Sequence, residues 1–207
     1  MSIELYGTKT GNCIRAAVAL EVAGIPYAVR HVDLAQGEQG KPPFLALNPA
    51  GKVPVLVDTS RQPSPLILTQ SNAIVLYAAD AAPERLLPPA ERATVIERYF
   101  YFITDVIAPS HAAFYLRRRN APEAAALLEE RVLAAARAAE RFAAEARFIG
   151  GDAFSVADIA AFTFLASVRS DLRWEDLPNL DRWYNVVATM PAVVKGSRAF
   201  DIPMSGV

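Results

Sequence analysis

One cysteine, Cys13, stands in a chain of 207 residues, so no disulfide can form within it. A chain without disulfides fits a reducing compartment, and the cytoplasm is the expected location. Long apolar runs are missing too: none approaches the roughly 20 residues that a membrane-spanning helix requires. The opening Ser2-Ile3-Glu4-Leu5-Tyr6 lacks the basic start of a signal peptide and reads as a strand. Neither sign of charge dominates. The net charge of −1 gives no footprint for nucleic acid or an anionic membrane as a partner. His111 has no second ligand at metal-binding spacing, so no metal is expected. Internal repeats and low-complexity tracts are also lacking.

With 53% hydrophobic and 21% charged residues, the composition is that of a globular protein, long enough for one large domain or two small ones. Residues 3–6 read as a strand. Residues 13–23 read as a helix closed by Gly24-Ile25-Pro26, with Ala16, Ala17, Leu20 and Ala23 on one face. Residues 27–33 alternate as a second strand, 36–43 form a polar loop, and 44–47 make a single helical turn. Residues 53–58 and 65–68 form a hairpin, and a helix follows over 70–80. The order β-α-β-(α)-β-β-α predicts a small mixed sheet with helices on it.

Residues 81–89 hold three prolines and no clear period, which marks a linker. Beyond it the pattern is helical only. From Arg92 onward, Val95, Ile96, Tyr99, Phe100, Ile103, Val106 and Ile107 recur at three and four residues, and Pro109 predicts a kink. Pro122 opens the next helix, whose buried side is expected to hold Leu127, Leu128, Val132, Ala136 and Ala139. Ser155 and Asp158 have the spacing of a capping box, with Phe154 and Ile159 at the staple positions, so Asp158 is expected to be structural and buried. Leu177-Pro178-Asn179-Leu180 starts a helix bearing Trp183 and Tyr184, and Pro191 starts the last one.

The functional signal lies in two stretches of the first half. Asn48-Pro49-Ala50-Gly51 is a turn that feeds Lys52-Val53-Pro54-Val55-Leu56, and Pro54 is tolerable only at the start or edge of a strand. Val53 therefore keeps backbone groups that an added peptide could pair with. Further on, Gln70-Ser71-Asn72 marks a strand-to-helix junction, where unpaired N–H groups and a positive dipole end suit a carboxylate. Together the two could hold a small peptide by its backbone and by one anionic end.

The order of these stretches resembles the thioredoxin-like domain of the glutathione transferases. The matching residues are Leu5-Tyr6-Gly7, Thr10-Gly11-Asn12-Cys13, Gly24-Ile25-Pro26-Tyr27, residues 48–56 and Gln70-Ser71-Asn72-Ala73-Ile74. The resemblance implies an α/β thioredoxin-like domain over 1–80, a linker over 81–90 and an all-α helical bundle over 91–207. It also implies a cis Val53-Pro54 bond, pairing of the Val53 backbone with the cysteine of glutathione, and a γ-glutamyl carboxylate held by Gln70 and Ser71. Lys52 or Lys41 is the expected partner of the glycyl carboxylate. Two-fold dimers are typical of the family.

A transferase must keep the glutathione sulfur as thiolate, which requires donors aimed at it beside a helix N-terminus. Thr10 offers a hydroxyl and Asn12 an amide, although both residue types are also ordinary helix caps. The subgroup most similar to this chain has serine where Thr10 stands. Cys13 is open to two readings: a buried small apolar residue, or a thiol activated at a helix start. Tyr6 is a fourth candidate, because one branch uses a tyrosine near there; otherwise it packs against the first helix. The electrophile is expected on the kinked helix, where Ile107, His111, Phe114, Tyr115 and Arg118 share a face. The run Arg117-Arg118-Arg119 is a solvated helix end or an attractor for an anionic substrate. Conjugation of glutathione to a hydrophobic electrophile is the expected activity. The alternatives are a glutathione-dependent peroxidase or disulfide reductase, and a non-catalytic binding module.

Overall fold

The computed structural model describes residues 2–201. Contacts divide the chain into two units: residues up to Leu86 together with the described residues from Met190 onward, and residues 87–189.

The first unit is built on β1 (Ile3–Gly7), α1 (Gly11–Ala23), β2 (Ala28–His31), α2 (Pro42–Leu45), β3 (Val55–Asp58), β4 (Leu66–Leu68) and α3 (Ser71–Ala81). The sheet order is β2-β1-β3-β4, with β1 parallel to β2 and antiparallel to β3, and β3 antiparallel to β4. This is the thioredoxin-like arrangement expected from the sequence. Alternation along β1 divides its side chains between two faces. Gly7 lies against α1, where a Cβ would stand 2.7 Å from the Cys13 sulfur, so only glycine lets the helix start so close. Tyr6 points to the other face and packs with Val32, Phe44, Val55 and Val57. It does not pack on the first helix, because its neighbours Leu5 and Gly7 already occupy that side.

Two helical pieces close the back of α1. Within the proline-rich stretch, α4 (Pro83–Leu86) buries Leu86, and Arg85 donates to the Val22 carbonyl at 3.3 Å. The last helix, numbered α11 (Pro191–Ser197), also packs on α1, although residues 91–207 read from sequence as one helical segment. Gly196 allows the approach, since a Cβ there would meet the Val18 Cα at 2.6 Å, and Lys195 pairs with Glu21 at 2.8 Å.

The second unit is helical: α5 (Arg92–Tyr101), a π-helical segment (Phe102–Ile107), α6 (Ala108–Arg118), α7 (Pro122–Ala138), α8 (Glu140–Glu145), α9 (Val156–Leu165) and α10 (Pro178–Ala188). Among the described residues no helix is long and apolar enough to cross a membrane. The irregularity expected at Pro109 lies one turn earlier. A proline cannot donate to the carbonyl four residues back, and its ring crowds that carbonyl. The chain responds by widening over 102–107, where the Ala108 N–H reaches the Ile103 carbonyl. Along α7 the buried residues are Ala125, Val132 and Ala136. Leu127, expected inside, is 71% exposed, because two residues beyond Ala125 a helix has turned to its opposite side. Small residues, not the leucine, form the contact stripe.

All ten residues of α9 are buried, eight of them apolar and two, Asp158 and Thr163, polar. The expected capping box begins it. Asp158 Oδ2 accepts from the Ser155 N–H at 2.9 Å and the Ser155 hydroxyl at 3.0 Å. Its Oδ1 accepts from Ile149 N–H at 2.8 Å and Trp183 Nε1–H at 2.7 Å, so the same carboxylate ties α9 to α10. Removing it loses a cap worth about 1–2 kcal/mol. It also strands two buried donors at about 1–3 kcal/mol each. Asp158→Ala should therefore lower the melting temperature by more than a cap alone would; an unchanged value contradicts this role.

Burial pushes the Asp158 carboxyl from 3.8 to about 6, against the pull of the donors from Ile149, Trp183 and Ser155. The fold thus favours the acid form. That contribution is fully present below about pH 4 and is lost as pH rises through about 6, at a cost of about 3 kcal/mol. Asp158→Asn cannot titrate, so its urea-unfolding stability should gain on wild type between about pH 4 and about pH 7. Parallel profiles for the two proteins would exclude it.

Candidate functional site

The turn before β3 is shaped by a buried asparagine. Asn48 Nδ2 donates to the Lys52 carbonyl at 2.6 Å, and its Oδ1 accepts from the Ala50 N–H at 3.1 Å. Gly51 donates back to the Asn48 carbonyl at 2.9 Å and sits at φ +61°, a conformation glycine adopts without strain. The Val53-Pro54 bond that follows is cis. The β1–β3 ladder stops at Tyr6↔Val55, so Val53 stands beyond the paired register, half-buried. Pro54 is buried and Lys52 exposed.

Beyond β1, α1 begins. Thr10 is its N-cap, extended at φ −126° and ψ 154°, and its Oγ1 accepts from the Cys13 N–H at 3.3 Å. A hydroxyl that accepts in this way keeps its own proton for donation, so capping and thiolate stabilisation are compatible in one residue. Cys13 is fully buried under Gly7. Burial pushes its thiol above the ordinary range, and the Thr10 hydroxyl and Thr8 backbone offset this only in part. The thiol is packed as a small apolar core group.

The first turns of α1 and α3 are joined by a residue that carried no weight in the sequence. Arg15, 2% exposed, donates from Nη1 to Asn12 Oδ1 at 2.8 Å and to Ser71 Oγ at 3.4 Å. Ser71 is the first residue of α3 and is buried, while Gln70 before it is exposed and makes no side-chain cap. The available signal was an arginine inside the otherwise apolar run from Cys13 to Leu20.

Other candidates lie apart. Lys41 is exposed, pairs with Glu38 at 3.8 Å, and lines a cleft of about 430 Å³ with Tyr6, His31, Phe44 and Leu47. That cleft belongs to the α2 face of the sheet, not the α1 face. The Tyr6 hydroxyl there donates to Glu4 Oε2 at 2.7 Å, and burial, then Glu4, hold its pKa above the ordinary value. Tyr6 and Thr10 are therefore not alternatives at one site.

In the helical unit, Ile107 is buried in line with Phe102 and Val106, while His111, Phe114, Tyr115 and Arg118 are exposed. The Arg118 guanidinium lies 5.8 Å from the Phe114 ring, and these two share a cavity of about 460 Å³ with Tyr115 and Arg119. Phe114 also lines a cavity of about 660 Å³ with Ala113, Val132 and Leu133. Ile107 and His111 line neither, so three of the five expected residues come together. The π-helical segment that ends at Ile107 turns that side chain into the core.

Residues 1–80 match the family described as glutathione S-transferase, N-terminal domain, and residues 122–185 match glutathione S-transferase, C-terminal domain. Glutathione S-transferase GstB of Escherichia coli (strain K12) is 33% identical over 209 residues, spanning 93% of this chain and 96% of that protein. Disulfide-bond oxidoreductase YfcG of the same strain is 27% identical over 197 residues, spanning 92% of each. A crystal structure of a glutathione transferase from Burkholderia graminis, with two glutathione molecules bound per subunit, superposes with a TM-score of 0.83 at 25% identity. The match covers 99% of this chain and 89% of that one. Matched in both halves, and 33% identical to one member along nearly the whole length, the chain belongs to the glutathione S-transferase family.

Proposed function

We propose that this protein is a glutathione transferase that holds glutathione at the joined N-termini of α1 and α3 and delivers its thiolate to a hydrophobic electrophile. The bridge from Asn12 through Arg15 to Ser71 carries the reading, because it brings a candidate sulfur donor and a candidate carboxylate donor to one place. In this reading the Val53 backbone pairs with the tripeptide, and cis Pro54 shapes that edge. Ser71, Gln70 and the N–H groups of α3 hold the γ-glutamyl carboxylate, whose charge the helix dipole favours. Lys52, exposed beside Val53, pairs with the glycyl carboxylate. Lys41 is the weaker partner, being turned to Glu38 on the other face of the sheet.

Thr10 donates its proton to the glutathione sulfur and Asn12 its amide N–H. The thiol proton leaves to solvent. The thiolate then attacks the electrophilic carbon, forming the S–C bond as the leaving group departs with its electron pair. Exposed His111, Phe114, Tyr115 and Arg118 on α6 offer the apolar and cationic surface for the acceptor. A cytoplasmic homodimer belongs to the same proposal.

A second reading, thiol–disulfide chemistry, is favoured by the name of the relative YfcG. In this chain it would need Cys13 as nucleophile, and a buried thiol with a raised pKa suits that poorly. A panel of aryl halides, epoxides, hydroperoxides and mixed disulfides separates the activities. Retention on immobilised glutathione separates both from a non-catalytic module.

If Ser71 holds the γ-glutamyl carboxylate, Ser71→Ala should raise the glutathione KM by the loss of about 1.5–3 kcal/mol. A KM within error of wild type would place the carboxylate elsewhere. At the sulfur end, Thr10→Ala should cut conjugation and Thr10→Ser retain much of it, while Cys13→Ala leaves turnover nearly intact after a small packing loss. Turnover that survives Thr10→Ala and vanishes with Cys13→Ala would favour the reductase.

A further inference from the structure

We propose that Arg15 is a positioning residue that sets the donor polarity of the glutathione site, an inference that rests on the reading above. The chemistry of the bridge determines this. A guanidinium donates only, so the Asn12 oxygen must face it, which fixes which end of the amide is which. The amide N–H₂ of Asn12 is then left to donate elsewhere. The same holds at the other end. Ser71 Oγ accepts from Arg15, and its hydroxyl proton remains for an incoming oxygen. One buried cation therefore turns a carboxamide and a hydroxyl, each able to accept or donate, into donors toward a ligand.

The charge acts in the same direction. Helical side chains lean toward the N-terminus, which carries the Arg15 guanidinium back to the first turn of α1 and across to the start of α3. A positive charge and two positive dipole ends then converge on the place assigned to a thiolate and a carboxylate. An anion arriving there relieves their mutual repulsion. Both bonds leave one nitrogen, Nη1, which the planar guanidinium holds in place; lysine would keep the charge but put a rotatable ammonium on a flexible stem there, and methionine would lose both.

The test measures glutathione KM, and the pKa of the bound thiol by ultraviolet titration of the thiolate, in wild type, Arg15→Met and Arg15→Lys. Melting temperature is recorded for each. Arg15→Met should raise the thiol pKa by about 1 unit. It should raise KM about tenfold or more. Arg15→Lys should hold the pKa near wild type and still raise KM, because a rotatable ammonium on a flexible stem does not hold one nitrogen fixed against both partners as the planar guanidinium holds Nη1. A folded Arg15→Met protein with wild-type pKa and KM overturns the inference and leaves the transferase reading standing. So does a loss of melting temperature without movement in either quantity. If Arg15→Met does not fold, Arg15→Lys decides: wild-type KM in that variant overturns the claim. Wild-type protein that fails to bind glutathione overturns both readings together.

Discussion

One buried guanidinium ties the first turns of α1 and α3, and the ligand site proposed here depends on that tie. A helix start exposes useful N–H groups only if the preceding chain bends away and the helix behind stays packed. Both conditions are met by ordinary packing. Ala16, Ala17, Val18, Ala19 and Leu20 bury the remainder of α1, and Gly7 and Gly196 let its neighbours close in. Asn48 bends the loop before β3, and Val53 ends beyond the ladder. The site proposed here is a set of backbone and side-chain donors held by a core that takes no part in the chemistry.

Two of the buried charged residues, Asp158 and Arg15, show how a structural role differs from the positioning role proposed here. Both oxygens of Asp158 are filled by donors from Ser155, Ile149 and Trp183, and the carboxylate has its whole task inside the fold. Arg15 instead serves, among its partners, an amide and a hydroxyl that each retain a donor after the guanidinium is served. Burial alone does not distinguish the cases. Cys13 makes the same point from the other side, since its place at a helix start suggests reactivity and its burial cancels it.

What was legible in the sequence was local or carried by a compact motif. The Ser155–Asp158 box needs residues three apart, and the turn from Asn48 to Pro54 needs a handful, so both read directly. The mixed sheet followed from alternation and turn residues. The illegible parts depend on distance or register. Arg15 meets Ser71 across 56 residues, and no pattern in α1 announces the pairing. Tyr6 could be assigned to a face only once the strand register was known. Leu127 misled because hydrophobicity pointed inward where alanine packing had already claimed the contact. Pro109 marked a break correctly but could not say that the helix would widen a turn earlier.

The central claim is that the start of α1 stabilises a thiolate belonging to glutathione and not to Cys13. The most direct test is an ultraviolet pH titration of the glutathione thiol bound to the wild-type protein, with Cys13→Ala as the background control. The account predicts a bound thiol at least about 1 unit below the ordinary thiol value of about 8.5, unchanged in the control. A bound thiol that titrates at or above that value would contradict it.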